Sequence, residues 1–325
     1  MNDHPIELGI NPVVESQRII KMLKQTIFRD MARKGAVVGI SGGVDSSVVL
    51  ALCVKAFSPL NVTALMLPEK DSSPESLELA RQVVGLYGVD PILEDITAAL
   101  EGAGCYQRRD EAVKQLFPEY DPDAGYKVKI SLPPNLLEEG GLNVFHLTII
   151  TPEGEEKRRR LPPREFFQIV AASNFKQRTR MSMLYYHAEL RNYAVVGTGN
   201  RNEHEQGFFV KYGDGGVDLQ PIAHLYKTEV YQLAEYLEVP AEIRLRPPTS
   251  DTYSAPSNQQ EFFFRLPFEV MDQLWHSQEQ QRPVEQVARQ MKLSNEQVQR
   301  AYDDFTRKKR TTEYLRMPVV RLDRS

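Results

Sequence analysis

The chain has 325 residues, 41% of them hydrophobic and 26% charged, with a formal net charge of -4. Those proportions exclude a disordered chain. No apolar run reaches bilayer length, which argues against a membrane span, and the mild negative charge argues against a global preference for nucleic acid. The length accommodates one large α/β domain with an elaboration, or two small domains. The two cysteines, Cys53 and Cys105, have no metal-ligand spacing, and Met1 to Pro5 lack a basic-then-apolar signal, so a reducing cytoplasm is the expected address.

From Val13 to Arg33 apolar residues recur at helical spacing (Val14, Ile19, Ile20, Leu23, Ile27, Met31), and Gly35 ends that helix. Ala36 to Ile40 then has the β-branched density of a buried parallel strand, and Val48 to Leu52 is the core of a following helix. The nine residues Gly39 to Ser47 (GISGGVDSS) therefore form a strand-loop-helix turn. Its glycines and serines leave backbone N–H groups free to converge with the positive end of the helix dipole on an anion. Asp45 inside such a cradle repels phosphate unless a divalent cation lies between them, so the stretch reads as a nucleotide-phosphate site with bound Mg²⁺. Gly39-x-Ser41-x-Gly43 also matches a nucleophile elbow, which would need an acid and a histidine; His187, His204, His224 and His276 leave that alternative open. A Walker A loop is excluded because no Gly-Lys-Ser/Thr follows.

Asn61 to Leu67 is a second strand stopped by Pro68. Ser72-Ser73-Pro74-Glu75 starts a helix that runs to Gly88, and Pro91 to Ile96 is a third strand. This alternation predicts a doubly wound, mostly parallel α/β sheet with its ligand outside the carboxyl ends of the strands. From about Leu100 to Pro163 the pattern changes to alternating segments, Tyr126–Leu132 and Asn143–Ile150, with Glu156–Leu161 pairing back: a small antiparallel insertion. The basic quartet Lys157 to Arg160 reads as a solvated strand edge, with phosphate or RNA contact as the alternative.

Phe166 to Tyr193 is helical; Arg178 and Arg180, two apart, face different sides, so at most one points into a given site. Ala194 to Asn200 is a buried strand ending in Gly197-Thr198-Gly199, and Glu203 beyond it is a metal partner for Asp45 or a surface glutamate. Gly207 to Leu219 is too glycine-rich for a strand and too apolar for a solvent loop, and presents Lys211, Asp214 and Asp218. Lys227 opens the next helix, where a lysine opposes the dipole and is better suited to phosphate. Beyond about Gln260 the chain is mainly helical, with two amphipathic helices broken at Leu293-Ser294. The expected division is 1–99 and 164–258 for the nucleotide domain, 100–163 for the insertion and 259–325 for the helical C-terminal region.

Taken together these segments carry a resemblance. Ser-Gly-Gly-x-Asp-Ser resembles the pyrophosphate loop of the N-type ATP pyrophosphatases, whose fold is adenine nucleotide alpha hydrolase-like. The run of Asn174-x-Lys176-x-Arg178-x-Arg180-Met181, Gly197-Thr198-Gly199-Asn200-x-x-Glu203, Lys211-Tyr212-Gly213-Asp214-Gly215-Gly216-x-Asp218, Pro221-Ile222-x-x-Leu225-x-Lys227 and Pro248-Thr249 resembles ammonia-dependent NAD synthetases. The resemblance implies that ATP is cleaved between its α and β phosphates, that deamido-NAD is adenylylated and that ammonia displaces AMP. It implies that Gly39, Ile40, Ser41, Gly42, Gly43, Val44, Asp45 and Ser46 hold the ATP phosphates, that Asp45 and Glu203 ligate Mg²⁺, and that Thr198, Lys227 and Thr249 contact ATP. Arg178, Lys211 and Asp218 would contact deamido-NAD, and Asp214 would order the loop over the reacting groups and accept a proton from ammonium. A homodimer with the dinucleotide near its interface is likewise implied. The insertion, and Glu313-Tyr314-Leu315-Arg316 where many members carry His-Lys-Arg, depart from the pattern. With no room for a glutaminase domain, free ammonia or a separate partner is the expected nitrogen source. A tRNA-modifying enzyme of the same superfamily and a nucleotide-binding protein without turnover are the alternatives.

Overall fold

The computed structural model describes residues 6, 8–132, 135–138, 144–248, 253–255, 259 and 263–322. Helix α1 (Pro12–Lys24) starts where the Asn11 side chain accepts from the N–H groups of Val13 and Val14, and it continues as a wider turn over Gln25–Asp30. Strand β1 (Ala36–Gly39), helix α2 (Val44–Phe57), strand β2 (Val62–Met66), helix α3 (Pro74–Leu86) and strand β3 (Pro91–Leu93) follow as expected. Ser73 caps α3 by accepting from Ser76 N. Strand β7 (Ala194–Val196) completes a parallel sheet of order β3-β2-β1-β7.

Alternation along the strands decides the layers. Ala36 and Val38 of β1 pack with α1, α2 and α3 on one face, whereas Val37, Leu65 and Val195 share the opposite face with α6 (Pro163–Arg191). Helix α2 is apolar nearly all round because it is sandwiched between the sheet, α1 and α8 (Lys227–Tyr236). The chain moves outward from β1 to β3 and then returns to the other side of β1 at β7, so the strand order reverses between β1 and β7. A crevice opens outside the carboxyl ends there.

The antiparallel element is smaller than the 100–163 span expected. Residues Thr97–Gly102 (α4) and Cys105–Leu116 (α5) are helices, and only β4 (Lys127–Ser131), β5 (His146–Ile150) and β6 (Glu156–Arg160) form the three-stranded sheet. The apolar face of α5, with Cys105, Ala112, Val113 and Leu116 buried, is interrupted by buried Arg109, which weakened its helical signature. The sheet packs Val128, Ile130, Leu147 and Ile149 against α5 and α6. The basic strand β6 is a largely solvated edge, although Arg159 donates to Leu116 O at 2.7 Å across the Phe117 ring.

After β7 come α7 (Arg201–Gln206), α8, α9 (Ala241–Leu245) and a helical C-terminal region: α10 (Phe268–Glu279), α11 (Val284–Met291), α12 (Asn295–Thr311) and α13 (Glu313–Arg316). Its own core, with Phe264, Met271, Trp275, Val298 and Phe305, reaches Tyr226 at the foot of α8. The expected break between two amphipathic helices falls at Lys292–Ser294, where Lys292 is left-handed and Ser294 caps α12. Among the described residues no helix is long and apolar enough to cross a membrane.

Candidate active site

The loop between β1 and α2 is built by its own side chains. Ile40 N pairs with Leu65 O at 2.8 Å, continuing β1, and the backbone then turns through Gly42 at φ +78. A Cβ on Gly42 would lie 2.3 Å from Ser76 O, so only glycine fits between this turn and α3. Ser41 Oγ accepts from Gly43 N at 3.3 Å and meets Ser46 Oγ at 3.2 Å. The first intrahelical bond of α2 is Ser47 N to Gly43 O, so the N–H groups of Val44, Asp45 and Ser46 precede the helical ladder at its positive end. They line a cleft of about 910 Å³ that also contains Gly39 to Gly43, Thr198, Glu203, Asp214 and Lys227.

Across the cleft, two short helices bring charge to this cradle. Asn200 caps α7 by accepting from Glu203 N at 3.1 Å, and Glu203 Oε2 accepts in return from Asn200 N at 3.1 Å. The Asn200 amide donates to Asp45 Oδ1 at 3.0 Å, while the fully buried Lys227 ammonium bonds Asp45 Oδ2. Burial alone would lower the Lys227 pKa, but the Asp45 and Glu203 carboxylates outweigh it and hold the ammonium above the usual lysine range. Burial raises Glu203, and the Asp45 carboxylate adds to the rise, so its pKa is pushed up to about 8. That repulsion is what a shared dication would relieve. Among the described residues no group of three or more His, Cys, Asp or Glu is placed to hold a metal ion. Two carboxylates beside a phosphate cradle nevertheless suit Mg²⁺, which takes one or two protein carboxylates and completes its shell with phosphate oxygens and water.

The glycine-rich loop closes over this chemistry. Gly207 ends α7 at φ +77 against the side chain of Thr312, and Val210 N donates to Asp214 Oδ1 at 2.9 Å. Burial pushes the Asp214 pKa up to about 6, against the opposing bond from Val210. The residues expected to meet deamido-NAD stand elsewhere. Lys211 donates to the carbonyls of Tyr314 and Met317, both at 2.9 Å, and Arg178 Nε donates to Lys211 O at 3.2 Å. Asp218 accepts from Val195 N at 2.7 Å and from the Tyr185 hydroxyl at 3.0 Å. None of these three lines the cleft; from the arginine pair it is Arg180 that does, with Nε bonded to Leu67 O at 3.1 Å. Thr249 lies outside the described residues.

Sequence reasoning gave Asn200 no role of its own within its motif, although Asn-x-x-Glu before a short helix is a readable capping signature. It also passed over Arg246, which reaches Ser76 Oγ at 3.1 Å on the cleft wall; nothing local marks that residue. The elbow alternative fails on geometry. Ser41 is engaged by Gly43 and Ser46, and no histidine lines the cleft among the described residues.

Comparison with known proteins agrees with this construction. The chain matches the NAD synthase family over residues 15–115 and 145–316, which leaves part of the inserted region unmatched. It is 46% identical over 310 residues to the NH(3)-dependent NAD(+) synthetase of Rhizobium meliloti, covering 95% of this chain and 92% of that one. Among solved structures, an NMN synthetase from Francisella tularensis superposes with a TM-score of 0.64 at 21% identity, covering 97% of this chain and 99% of that one. An NH3-dependent NAD synthetase from Campylobacter jejuni gives 0.61, also at 21%, covering 97% and 100%. At that identity the superpositions speak for the fold, and the family rests on the sequence match. Because that match spans both halves of the parallel sheet and the helices that frame its crevice, this chain belongs to the NAD synthase family.

Proposed function

We propose that the protein is an ammonia-dependent NAD synthetase, converting ATP, deamido-NAD and ammonia to NAD, AMP and pyrophosphate. The observation that carries the reading is the Lys227–Asp45 ion pair facing the free N–H groups of α2 with Glu203 beside it. In the first step the substrate carboxylate oxygen attacks the α-phosphorus, and the bond to the β-phosphate breaks. Negative charge then grows on departing pyrophosphate, where the α2 amides and Lys227 are already aimed. Mg²⁺ held by Asp45 and Glu203 would neutralise part of that charge. Thr198 on the cleft wall and Thr249 would contact the nucleotide. In the second step ammonia attacks the acyl carbon, AMP leaves, and the surplus proton passes to the Asp214 carboxylate. The Gly207–Gly216 loop keeps water from competing for the adenylate.

Arg178, Lys211 and Asp218 are proposed to meet deamido-NAD in a homodimer. Their position outside the cleft of one chain, and the exposed Phe175, Tyr186 and Leu190 on α6, support a site completed by a second copy. Sedimentation at the mass of a single chain would refute the dimer. Two buried cysteines that are not bonded to each other fit a cytoplasmic address. The decisive experiment incubates the pure protein with Mg-ATP, ammonium and deamido-NAD. NAD, AMP and pyrophosphate are expected in equal amounts by mass spectrometry; ADP with phosphate, or no amide, would refute the reading.

A further inference from the structure

We infer that Asp272, a carboxylate on α10 outside every motif singled out above, is a positioning residue that sets Lys227 and Glu203 in register across the cleft. The inference rests on the proposed ATP-cleaving role of that cleft. Asp272 is fully buried, and both of its oxygens are used. Oδ1 accepts from Asn202 Nδ2 at 2.5 Å, and Oδ2 accepts from Thr228 N and Thr228 Oγ, both at 2.9 Å. Asn202 is itself fully buried, and its Oδ1 accepts the N–H of Lys227 at 2.9 Å. Side chains from α7 and α10 thus satisfy two of the N–H groups that open α8 and have no helical partner. Asn202 immediately precedes Glu203, and Thr228 immediately follows Lys227. A shift at the Asp272 carboxylate therefore moves both reactive groups.

Charge gives the same direction as geometry. A lysine in the first turn of a helix faces the positive end of the dipole, and Asp272 places negative charge at that same end. Asparagine would keep the shape, but its amide nitrogen cannot accept. Either the Asn202 or the Thr228 bond is then lost, and with it the fixed direction of Lys227.

The test is a double-mutant cycle on the affinity of the whole protein for Mg-ATP, measured by calorimetry. Asp272→Asn is expected to raise Kd about tenfold in the wild-type background and only about threefold in the Lys227→Ala background, because the part of the loss that acts through Lys227 is then absent and only the part that acts through Glu203 remains. An equal loss in both backgrounds would overturn the positioning role while leaving the proposed function standing. A wild-type protein that does not bind Mg-ATP would overturn both. Leu274→Ala, a cavity in the same helix, is expected to lower Tm while Kd stays within about twofold; a tenfold loss there would also overturn the role. Should Asp272→Asn not fold, Thr228→Val removes only the hydroxyl bond. About a threefold loss that disappears with Lys227→Ala is then expected, and a loss that persists would overturn the inference.

Discussion

Asp45 is where the competing demands of the site meet. It joins the buried Lys227 ammonium to the amide-lined turn at the start of α2, and it stands against Glu203 closely enough to raise that carboxyl. Asp45→Asn is expected to lower kcat on the order of 10²-fold or more, the scale of a lost transition-state charge contact. It is also expected to cost about 3 kcal/mol of stability, because Lys227 keeps a neutral neighbour in place of a charged one. Steady-state kinetics and a urea melt measure the two effects. An active variant would remove Asp45 from the metal site. Glu203 adds a pH signature. Its folded pKa of about 8 lies above its ordinary 4.5, so between those values the folded state holds a proton that the unfolded state has released. The stability of the metal-free protein should therefore fall as pH rises through that window. Ligation needs the carboxylate, so Mg²⁺ affinity in the presence of ATP should rise from pH 6 to 8 with proton release. Calorimetry in buffers of different ionisation enthalpy detects that release, and pH-independent affinity would sink the assignment.

At the scale of the element, the turn from β1 into α2 works only because Gly42 takes a left-handed conformation beneath the carbonyl of Ser76. Gly42→Ala adds about 1–3 kcal/mol of backbone strain. It also pushes the loop away from α3, so Mg-ATP affinity should fall together with Tm. Gly88 is the matching control, since it too has positive φ (+67) but nothing lies within 4 Å of an added Cβ. Gly88→Ala should cost about 1 kcal/mol in a thermal melt and leave ATP binding unchanged. If both variants bind ATP equally well, the close approach of the loop to α3 has no role in the cradle. The loop was legible because its glycines, serines and flanking apolar runs all lie within one stretch of chain. The helix α5 was not, because its buried face includes Arg109, a charge that beside its neighbour Asp110 needs a second partner, Asp71, far away in sequence.

That distant partner, Asp71, belongs to a buried network that joins three separate stretches of the chain. Lys176 on α6 bonds Glu69 at 3.0 Å and Asp71 at 2.6 Å, Arg109 on α5 bonds Asp71, and the Tyr106 hydroxyl reaches Glu69 at 2.6 Å. These contacts tie the loop after β2 to the helices on the other face of the sheet. Lys176→Met would leave buried carboxylates undercompensated and should destabilise by about 3–5 kcal/mol in urea at pH 7. Burial opposes the Asp71 charge, but Lys176 and Arg109 outweigh it and hold the carboxyl below its ordinary 3.8. A depressed folded pKa stabilises above the unfolded value, so this contribution is intact at neutral pH and is lost as pH falls below about 4. The stability gap between wild type and Lys176→Met should therefore narrow in acid. A gap that is constant down to pH 3 would deny the network its charge.

Amino-acid order by itself determined the parallel α/β class, the glycine-serine turn between β1 and α2 and the family match, because each is a local pattern of period, turn chemistry or contiguous motif. It could not determine which of Arg178 and Arg180 enters the cleft, that Lys211 is held by the carbonyls of Tyr314 and Met317, or that Asp272 caps the helix bearing Lys227. Those outcomes join residues far apart in the chain. Only the packing of α6, α7, α8 and α10 around one crevice decides which buried polar groups must satisfy one another.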